Sequence, residues 1–388
     1  MQTVTISRIS EEDFLHLRTE WNSLLERSVT NEVFLSWEWI YSWWETFTSE
    51  NKELFILVGK NDLQELVGIA PFYLESKRYM GLTKKKILRL CSSQETDPDH
   101  LDIICDKEHA KIYVEAIMSF FEANKTEWDE VVLEGLKQDS NIRRYVSQEG
   151  YHLHDFIIKS LPESACPYLT INQCFEDYFK SFSGKTRNTL LRKRKKLLVN
   201  DNAKFGVITS QKDNPENYMK ELFSLHNERA KRKGVKTAFT GERIYSFHKN
   251  FVTRSLGSNN AVIFFLSKES TFLVLFYCMK YNNKYYYYQA GISEDGELKS
   301  AGTILMLLSI EKAFNEGCSE FDFLRGDEQY KYFWSKDSRQ NYSLTIQKNT
   351  FQNRMANHLS YNLLTPGKKR IKYLANKLKQ RSIFSKRP

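Results

Sequence analysis

The segment from residue 321 to residue 334 holds the densest group of side chains that could do chemistry. It reads Phe-Asp-Phe-Leu-Arg-Gly-Asp-Glu-Gln-Tyr-Lys-Tyr-Phe-Trp. The pattern predicts a short apolar strand, a Gly-Asp-Glu turn and a short aromatic helix that begins with a Tyr-Lys pair. Titratable groups crowded at the C-terminal end of a strand, among apolar neighbours, are the usual setting of acid–base chemistry. The alternative is a strand–turn–helix corner whose acidic tip is simply solvated.

Length and composition indicate a folded chain with more than one core. The chain has 388 residues, of which 41% are apolar and 14% aromatic, so two domains of ordinary size fit best. The longest apolar runs have strand length, far below the roughly 20 residues that span a bilayer. The N-terminus has no basic start followed by an apolar stretch. We therefore predict a cytoplasmic protein.

The cysteines and histidines give no sign of a metal site. The six cysteines are scattered without a C-x-x-C pair, and no histidine stands at ligand spacing. Reduced thiols packed in cores are the preferred interpretation. We predict no metal ion and no permanently bound cofactor.

The positive charge of the chain is concentrated at its C-terminal end. The formal net charge is +9, and residues 367–388 contain nine Lys/Arg and no acidic residue, so the rest of the chain is neutral. The body is therefore not expected to bind nucleic acid. The tail could contact anionic lipid, since Ile371, Leu374, Leu378 and Ile383 recur at roughly helical spacing, and this would place the protein at the inner face of the membrane. It could equally be a solvated, frayed terminus.

The order of the predicted elements gives two mixed lobes and a tail. We place an N-terminal lobe at residues 1–160, a C-terminal lobe at 161–360 and a basic tail at 361–388. The connector is predicted at 160–166, because Pro162 lies within this segment and Pro167 directly follows it. In the second lobe, strands at 261–267, 272–279 and 284–289 have turns short enough to make them antiparallel neighbours. An amphipathic helix at 301–315 and a strand at 320–324 follow.

The start of that helix is a candidate anion site. A helix N-terminus offers free backbone N–H groups and the positive end of the helix dipole, which suits the pyrophosphate of coenzyme A. Gly302 would let the backbone approach a phosphate, Ser300 could cap the helix and Lys299 could add charge, with Ala301 and Thr303 completing the segment. The alternative is an ordinary capped helix over a sheet, because a single glycine at a helix start is weak evidence.

Four stretches carry a resemblance to a known family, namely residues 34–40, 66–73, 285–290 with Gly302 and its helix, and 321–334. They resemble bacterial GNAT acyltransferases of the cellulose-biosynthesis-associated branch, which are similar to the Fem-type transferases with two GNAT-like lobes in tandem. The resemblance covers roughly residues 5–350. It implies an α/β (α+β) fold in which each lobe is a mixed sheet flanked by helices. The family's phosphate loop favours Arg/Gln-x-x-Gly-x-Gly/Ala, whereas this chain has Ile304 at the last position.

The implied reaction is acyl transfer from a thioester, acyl-CoA or acetyl-CoA as co-substrate, to an amine. The amine attacks the thioester carbonyl directly, so the site needs a base, a proton donor for the leaving sulfur and a group beside the carbonyl. From the resemblance, Lys331 matches the lysine beside the transferring carbonyl, and Tyr330 matches the proton donor. Asp322, Asp327 and Glu328 are candidates for the base or for an anchor of the substrate amine. Asp327 and Glu328 could instead only cap the short helix.

Other residues are candidates for substrate binding. Lys/Arg residues crowd the predicted helix at 185–198, where most form a solvated face, and Arg187 near its start is assigned to a substrate phosphate or carboxylate. Arg325 is a further candidate. Trp37 and Trp44 share one face of a Trp-rich helix, and one face of that helix could line the cleft between the lobes and stack on a sugar or acyl chain.

These observations favour an N-acyltransferase, and more narrowly an N-acetyltransferase, acting on an amine-bearing small molecule or saccharide. An amino sugar or an envelope-polysaccharide precursor would fit. Two alternatives stay open: a Fem-type transferase that uses aminoacyl-transfer-RNA, and a non-catalytic scaffold for envelope-polysaccharide assembly.

Overall fold

The computed structural model describes residues 3–79, 83–148, 155–256, 260–350 and 353. The described strands form one mixed sheet with helices packed against it. The strands are β1 (Val4–Arg8), β2 (Lys52–Asn61), β3 (Leu66–Tyr79), β4 (Thr83–Leu90), β5 (Ile104–Cys105), β6 (Glu130–Leu136), β7 (Phe156–Thr170), β8 (Lys204–Ile208), β9 (Ala261–Lys268), β10 (Thr271–Tyr281), β11 (Lys284–Ile292), β12 (Glu320–Asp322) and β13 (Asp337–Lys348). The α-helices are α1 (Glu11–His16), α2 (Arg18–Arg27), α3 (Trp37–Phe47), α4 (Ala110–Ala123), α5 (Asn141–Gln148), α6 (Phe175–Lys180), α7 (Gly184–Lys195), α8 (Pro215–Lys233), α9 (Glu242–Ser255), α10 (Glu294–Leu298), α11 (Ala301–Asn315) and α12 (Gln329–Trp334).

The two halves of the sheet follow the same plan. Across the sheet the strands lie in the order β1-β2-β3-β4-β6-β13-β7-β12-β11-β10-β9-β8, with β5 on β3. Each half has a run of antiparallel neighbours that ends in one parallel pair, β4 with β6 in the first and β11 with β12 in the second. The predicted fold class, tandem lobes that each contain a mixed sheet and flanking helices, is confirmed.

The lobes are joined by two long strands. β13, from the C-terminal part of the chain, pairs with β6 of the first half, while β7 pairs with both β13 and β12. The connector predicted at 160–166 is wrong, because these residues lie inside β7. Proline lacks an N–H and is tolerated where the ladder is irregular, and Pro162 lies opposite the register shift between Gln340 and Tyr342. The division at 160/161 stays a prediction, and its border falls within this strand.

The elements around the candidate anion site form as their local sequence predicts. The β9–β10 and β10–β11 turns are short, and Glu269, Asn282 and Asn283 adopt positive φ there, which asparagine tolerates better than most residues. The next long helix, α11, begins at Ala301. Gly317 follows its end at φ 66°, so the predicted glycine stop is confirmed.

The Trp-rich helix α3 packs inside the protein. Trp37 and Trp44 are 6% and 5% exposed, and Trp37 stacks on Tyr41 at 4.4 Å between ring centroids. On the opposite face, Trp39 meets Phe247 of α9 edge-on at 4.8 Å. Helical spacing shows which residues share a face but not what covers it, and here both faces are covered. The structure therefore gives Trp37 and Trp44 a core position and not the cleft position predicted for substrate binding.

The cysteines and the C-terminal tail complete the description. Five of the six cysteines are buried as expected, but Cys174 is exposed next to Asp177. The basic residues 367–388 lie outside the described residues. Among the helices that are described, none combines the length and the apolar character needed to cross a bilayer.

Candidate functional site

The site begins where two parallel strands separate. β11 and β12 pair only through three residues each, Lys284–Tyr286 with Glu320–Asp322. Beyond them β11 continues to Ile292, whereas the chain leaves β12 and enters the turn before α12. The divergence opens a gap in the sheet at the C-terminal ends of both strands. Two cavities meet in this gap.

The first cavity, which we call the α11 cavity, lies over the start of α11 and has a volume of about 870 Å³. Its floor is apolar, and one wall is a face of α7. α12 and α10 close its ends. The residues that line it include Lys185, Thr186, Thr189, Leu190, Lys193, Phe276, Ile292, Ser300, Gly302, Thr303, Met306 and Phe333.

The helix start itself departs from the predicted cap. Ser300 is at φ 58°, in the left-handed region, and its side chain does not cap α11. Its hydroxyl oxygen instead accepts a hydrogen bond from the Lys193 ammonium at 3.1 Å. The N–H groups of Thr303 and Ile304 donate to the Ser300 carbonyl at 3.1 and 3.3 Å. Since no side chain of the described residues caps this helix, the N–H groups of Ala301 and Gly302 stay available to an anion. Ser300, Gly302 and Thr303 line the cavity as predicted.

Three of the predicted anion contacts lie elsewhere. The Lys299 ammonium pairs with Asp295 at 2.6 Å, and Ala301 is fully buried in the core. Arg187 donates to the backbone carbonyls of Lys180 and Phe182 at 2.8 and 2.6 Å. Its guanidinium is thus occupied by the turn before α7. Lys193, two turns further along that helix, reaches the start of α11 instead.

The charges around the α11 cavity favour an anionic ligand. Glu297 is the one carboxylate among the described residues that line this cavity. It forms ion pairs with Arg229, Arg232 and Lys233, at nitrogen–oxygen distances of 2.7, 3.4 and 2.9 Å. Hydrogen bonds from Arg229 and Lys233 hold the pKa of Glu297 at about 2. With Lys185 and Lys193 on the opposite wall, cations outnumber the single carboxylate.

The second cavity, which we call the interlobe cavity, has a volume of about 540 Å³ and is lined from both halves of the chain. The first half contributes Glu95, Thr96, Asp97 and Asp99. The second contributes the aromatic residues Phe239, Tyr287, Tyr288 and Phe323, with His248, Gln289, Leu324, Arg325, Glu328 and Lys331 among the others. Both volumes lie in the range of small-molecule sites, roughly 300–1,000 Å³.

Tyr287, Tyr330 and Arg229 line both cavities. The hydroxyl groups of Tyr287 and Tyr330 are hydrogen-bonded to one another. Burial and the nearby charge of Glu328 raise the pKa of Tyr330, so its phenol keeps its proton at neutral pH. Although its hydroxyl is desolvated, 46% of the Tyr330 surface stays exposed, so a ligand can reach the side chain. A protonated phenol at the meeting point suits a proton donor.

Lys331 and Asp322 hold the turn between β12 and α12. Leu324 has φ 56°, a conformation that costs a non-glycine residue about 1–3 kcal/mol. Its N–H donates to Asp322 at 2.7 Å, and its carbonyl accepts from the Lys331 ammonium at 3.2 Å. Lys331 also binds the Arg325 carbonyl and pairs with Glu328 at 3.0 Å. Lys331 lines the interlobe cavity, whereas Asp322 is fully buried and lines neither cavity.

A buried hydrogen-bond chain links this turn to the first half. Asp322 bonds to His100 at 2.8 Å, His100 to Asn341 at 3.2 Å, and Asn341 donates to Asp99 at 2.6 Å. Although burial raises the pKa of Asp322, His100 and Arg339 outweigh it and keep that pKa below its usual value. Asp99 in turn accepts from the Arg325 side chain at 2.9 Å.

Arg325 lines the interlobe cavity as predicted, yet its guanidinium also pairs with Asp97 at 3.3 Å. The two acids at the tip of the turn have different environments. Glu328 lines the interlobe cavity. Asp327 lines neither cavity and accepts a hydrogen bond from Tyr332 at 2.7 Å. Neither side chain caps α12, so the capping alternative is wrong. Of these two acids, only Glu328 therefore lines a cavity that Tyr330 also lines.

His248 supplies a pH-dependent prediction. The imidazole is fully buried among uncharged rings, and burial alone lowers its pKa to about 3. In the unfolded chain the pKa is about 6.5, so the unfolded state binds more protons and stability falls as the pH drops from about 6.5 towards 3. We expect His248→Phe to reduce this loss. Urea unfolding at pH 7 and pH 5 for both proteins checks it, and equal losses would contradict it.

Several residues of the two cavities were not predicted from the sequence. Asp99 and His100 stand in a polar Asp-Pro-Asp-His run after β4, which gave the only local hint. Tyr287 and Tyr288 lie in a run of four tyrosines that reads simply as a strand. Lys193 lies in the basic cluster of the predicted helix at 185–198, most of which was expected to be a solvated face. Arg229, His248 and Asn341 carry no local signal, since only the tertiary fold brings them to the site.

Comparisons with known proteins identify one domain of the chain and several proteins of similar fold. Residues 184–332 match the model of the acetyltransferase (GNAT) domain, which is less than half of the chain. Among solved structures, the crystal structure of FemX is similar with a TM-score of 0.60 at 11% identity, covering 87% of this chain and 96% of that one. A conserved protein of unknown function from Bacteroides thetaiotaomicron has a TM-score of 0.51 at 12% identity, covering 89% and 100%. The C-terminal domain of a putative lysylphosphatidylglycerol synthetase from Agrobacterium fabrum has a TM-score of 0.52 at 11% identity, covering 87% and 93%.

No curated protein matches the chain. The likeness to the solved structures shows a shared fold. The domain match begins at the first residue of α7 and ends within α12, so it contains most of the α11 cavity and the Tyr330 meeting point. The chain carries a GNAT acetyltransferase domain, and it is an enzyme of the acyltransferase class.

Proposed function

We propose that this acyltransferase moves an acyl group, in the simplest case acetyl, from acyl-CoA to the amine of a small molecule. The α11 cavity holds the donor and the interlobe cavity holds the acceptor. The observation that carries the proposal is that the two cavities meet at Tyr287 and Tyr330. A thioester carbonyl placed there is open to an amine from the other side.

The donor assignment rests on charge and shape. The uncapped start of α11, together with Lys193, offers backbone and side-chain donors for the diphosphate of coenzyme A. The apolar floor suits the pantetheine arm, which must reach Tyr330. Because α7 lies along the cavity, it forms a wall that encloses that arm.

The chemistry needs no protein nucleophile. The amine nitrogen forms a bond to the acyl carbon, and the carbon–sulfur bond breaks. Glu328 takes the proton that the amine loses, and Tyr330 gives its proton to the leaving thiolate. The products are an amide and free coenzyme A thiol. Lys331 and Asp322 support the site by fixing the Leu324 turn, while Asp327 stays a weaker candidate for the base.

A second candidate function is a Fem-type transferase that takes its acyl group from aminoacyl-transfer-RNA. The similarity to FemX over most of both chains favours it. One experiment separates the two: thiol release from acetyl-CoA in the presence of a panel of primary amines, compared with transfer of labelled amino acid from aminoacyl-transfer-RNA. We expect amine-dependent thiol release and no transfer from RNA. RNA-dependent transfer without thiol release would replace our proposal, and binding of neither donor would favour a non-catalytic scaffold.

We propose further that the acceptor is an amino sugar or an envelope-polysaccharide precursor, which is compatible with the resemblance of residues 321–334 to the cellulose-biosynthesis-associated branch but is not fixed by it. An acceptor of this kind would be made in the cytoplasm or carried on lipid at the inner face of the membrane.

The basic tail would bring the enzyme to such a surface, and its removal is a direct test. Each Lys or Arg near an anionic bilayer contributes about 1 kcal/mol, screened by salt. Deleting residues 367–388 should abolish salt-sensitive sedimentation with phosphatidylglycerol vesicles while CoA binding persists. Vesicles of phosphatidylcholine alone serve as the control. Equal sedimentation of the truncated and full-length proteins would contradict a membrane role for the tail.

A further inference from the structure

The interlobe cavity contains a histidine that the proposed reaction does not use. His248 lies on α9, is fully buried and belongs to the cavity wall. Neither of its ring nitrogens has a hydrogen-bond partner among the described residues. Leaving a buried donor or acceptor unsatisfied costs about 1–3 kcal/mol. A core that needed only an aromatic ring here would be more stable with phenylalanine.

Aromatic rings surround the imidazole. Phe239 and Tyr288, which also line the cavity, have ring centroids 5.0 and 5.1 Å from it. Tyr277 lies at 5.5 Å on another side, and its hydroxyl likewise has no partner within the described part of the chain. The arrangement is an apolar recess with unsatisfied polar atoms at its back. Binding sites for small polar molecules combine apolar walls with a few such atoms.

The charged groups of the cavity, in contrast, are already paired. Glu328 pairs with Lys331, both Asp97 and Asp99 pair with Arg325, and Glu95 pairs with Lys52. Arg229 pairs with Glu297. A ligand with a charged ring or chain at this position would have to compete with these ion pairs. A neutral ring that carries hydroxyl groups needs only the His248 imidazole as a hydrogen-bond partner and the aromatic ring faces for packing.

We propose that the recess formed by His248, Phe239 and Tyr288 binds the hydroxylated ring of an amino sugar, with a ring hydroxyl hydrogen-bonded to His248. This rests on the proposed function, in which the amine points towards Glu328 and Tyr330 at the meeting point of the cavities. Phe239 lies between α8 and α9 and stacks on Phe223 at 4.0 Å. Ligand binding to the imidazole requires this ring to rotate aside, a side-chain change that is common on binding. His248 is thereby a specificity-determining residue of the acceptor site.

The test compares two six-membered-ring amines, D-glucosamine and cyclohexylamine, which differ in their ring hydroxyls. Their affinities for the wild-type protein are measured by calorimetry without any donor, so the outcome does not depend on CoA binding. We expect glucosamine to bind at least about tenfold more tightly than cyclohexylamine. His248→Phe should remove that preference by weakening glucosamine, with an unchanged affinity for acetyl-CoA.

Two further variants complete the design. His248→Gln keeps a hydrogen-bonding group and should retain part of the preference, and it replaces His248→Phe if that variant fails to fold. His16→Phe, at an exposed histidine of α1, should behave as wild type. The proposal is overturned if the wild-type protein does not prefer glucosamine, or if His248→Phe preserves the preference. Failure of acetyl-CoA to bind would count against the proposed function and leave this comparison intact.

Discussion

Replacing Gly302 by glutamate lowers the affinity for acetyl-CoA at least about a hundredfold, which corresponds to about 2.8 kcal/mol. The new carboxylate would stand in the first turn of α11, where the helix dipole and the Lys193 ammonium favour an anion. It would occupy the diphosphate position and repel that group. Isothermal titration calorimetry with acetyl-CoA measures the loss.

Two matched variants separate charge from shape. A Cβ at position 302 would meet only the Ile292 side chain, at 3.1 Å, so Gly302→Ala should fold and bind donor nearly as wild type does. Gly302→Gln has the size of glutamate without its charge and should bind better than Gly302→Glu. If the glutamate variant is folded and keeps wild-type affinity, the donor does not bind at the start of α11.

Replacing Tyr330 by phenylalanine lowers turnover at least about tenfold, on the order of 1.4 kcal/mol of transition-state stabilisation. The phenylalanine ring keeps the shape of the meeting point but removes the proton that the leaving thiolate needs. Thiol release under saturating donor measures the effect, and donor affinity should change little. Tyr332→Phe, on the same helix but hydrogen-bonded to Asp327 outside both cavities, is the control.

Lys331→Ala should lower turnover by a similar factor, because the Leu324 turn and the nearby Glu328 lose their partner. Circular dichroism and a melting curve report whether the fold persists. Normal turnover by both Tyr330→Phe and Lys331→Ala would place the chemistry elsewhere, the polar loop at residues 97–102 being the next candidate.

The sequence was most informative where structure depends on neighbours in the chain. The turns between β9, β10 and β11, the position of the first residue of α11 and the Gly317 stop follow from local residue types, whereas the predicted Ser300 cap does not form. The strand exchange through β7 and β13 depends on pairing between residues far apart, and the prolines in β7 suggested a break instead. The residues next to a proline in the sequence do not show whether it lies at an irregularity in strand pairing or in a connector between domains.

The site was predicted only in part for the same reason. The residue types in 321–334 identified Tyr330, Lys331 and Glu328 as neighbours of a cavity. They did not show that Asp322 would be buried and hydrogen-bonded to His100, which belongs to the first half of the chain. The direction of a long side chain was also not evident, so Arg187 was preferred to Lys193 although both lie on α7. Trp37 and Trp44 illustrate the same limit, because helical spacing does not specify the covering surface.

The most direct test of the account is a crystal structure of the full chain soaked with acetyl-CoA. We expect the diphosphate at the start of α11, at the N–H group of Gly302 and near Lys193, and the pantetheine arm between α7 and α11. The thioester should end beside the Tyr330 hydroxyl and open towards the interlobe cavity. Coenzyme A bound away from the start of α11, or a thioester that points away from Tyr330, would contradict the proposed donor site and the transfer point.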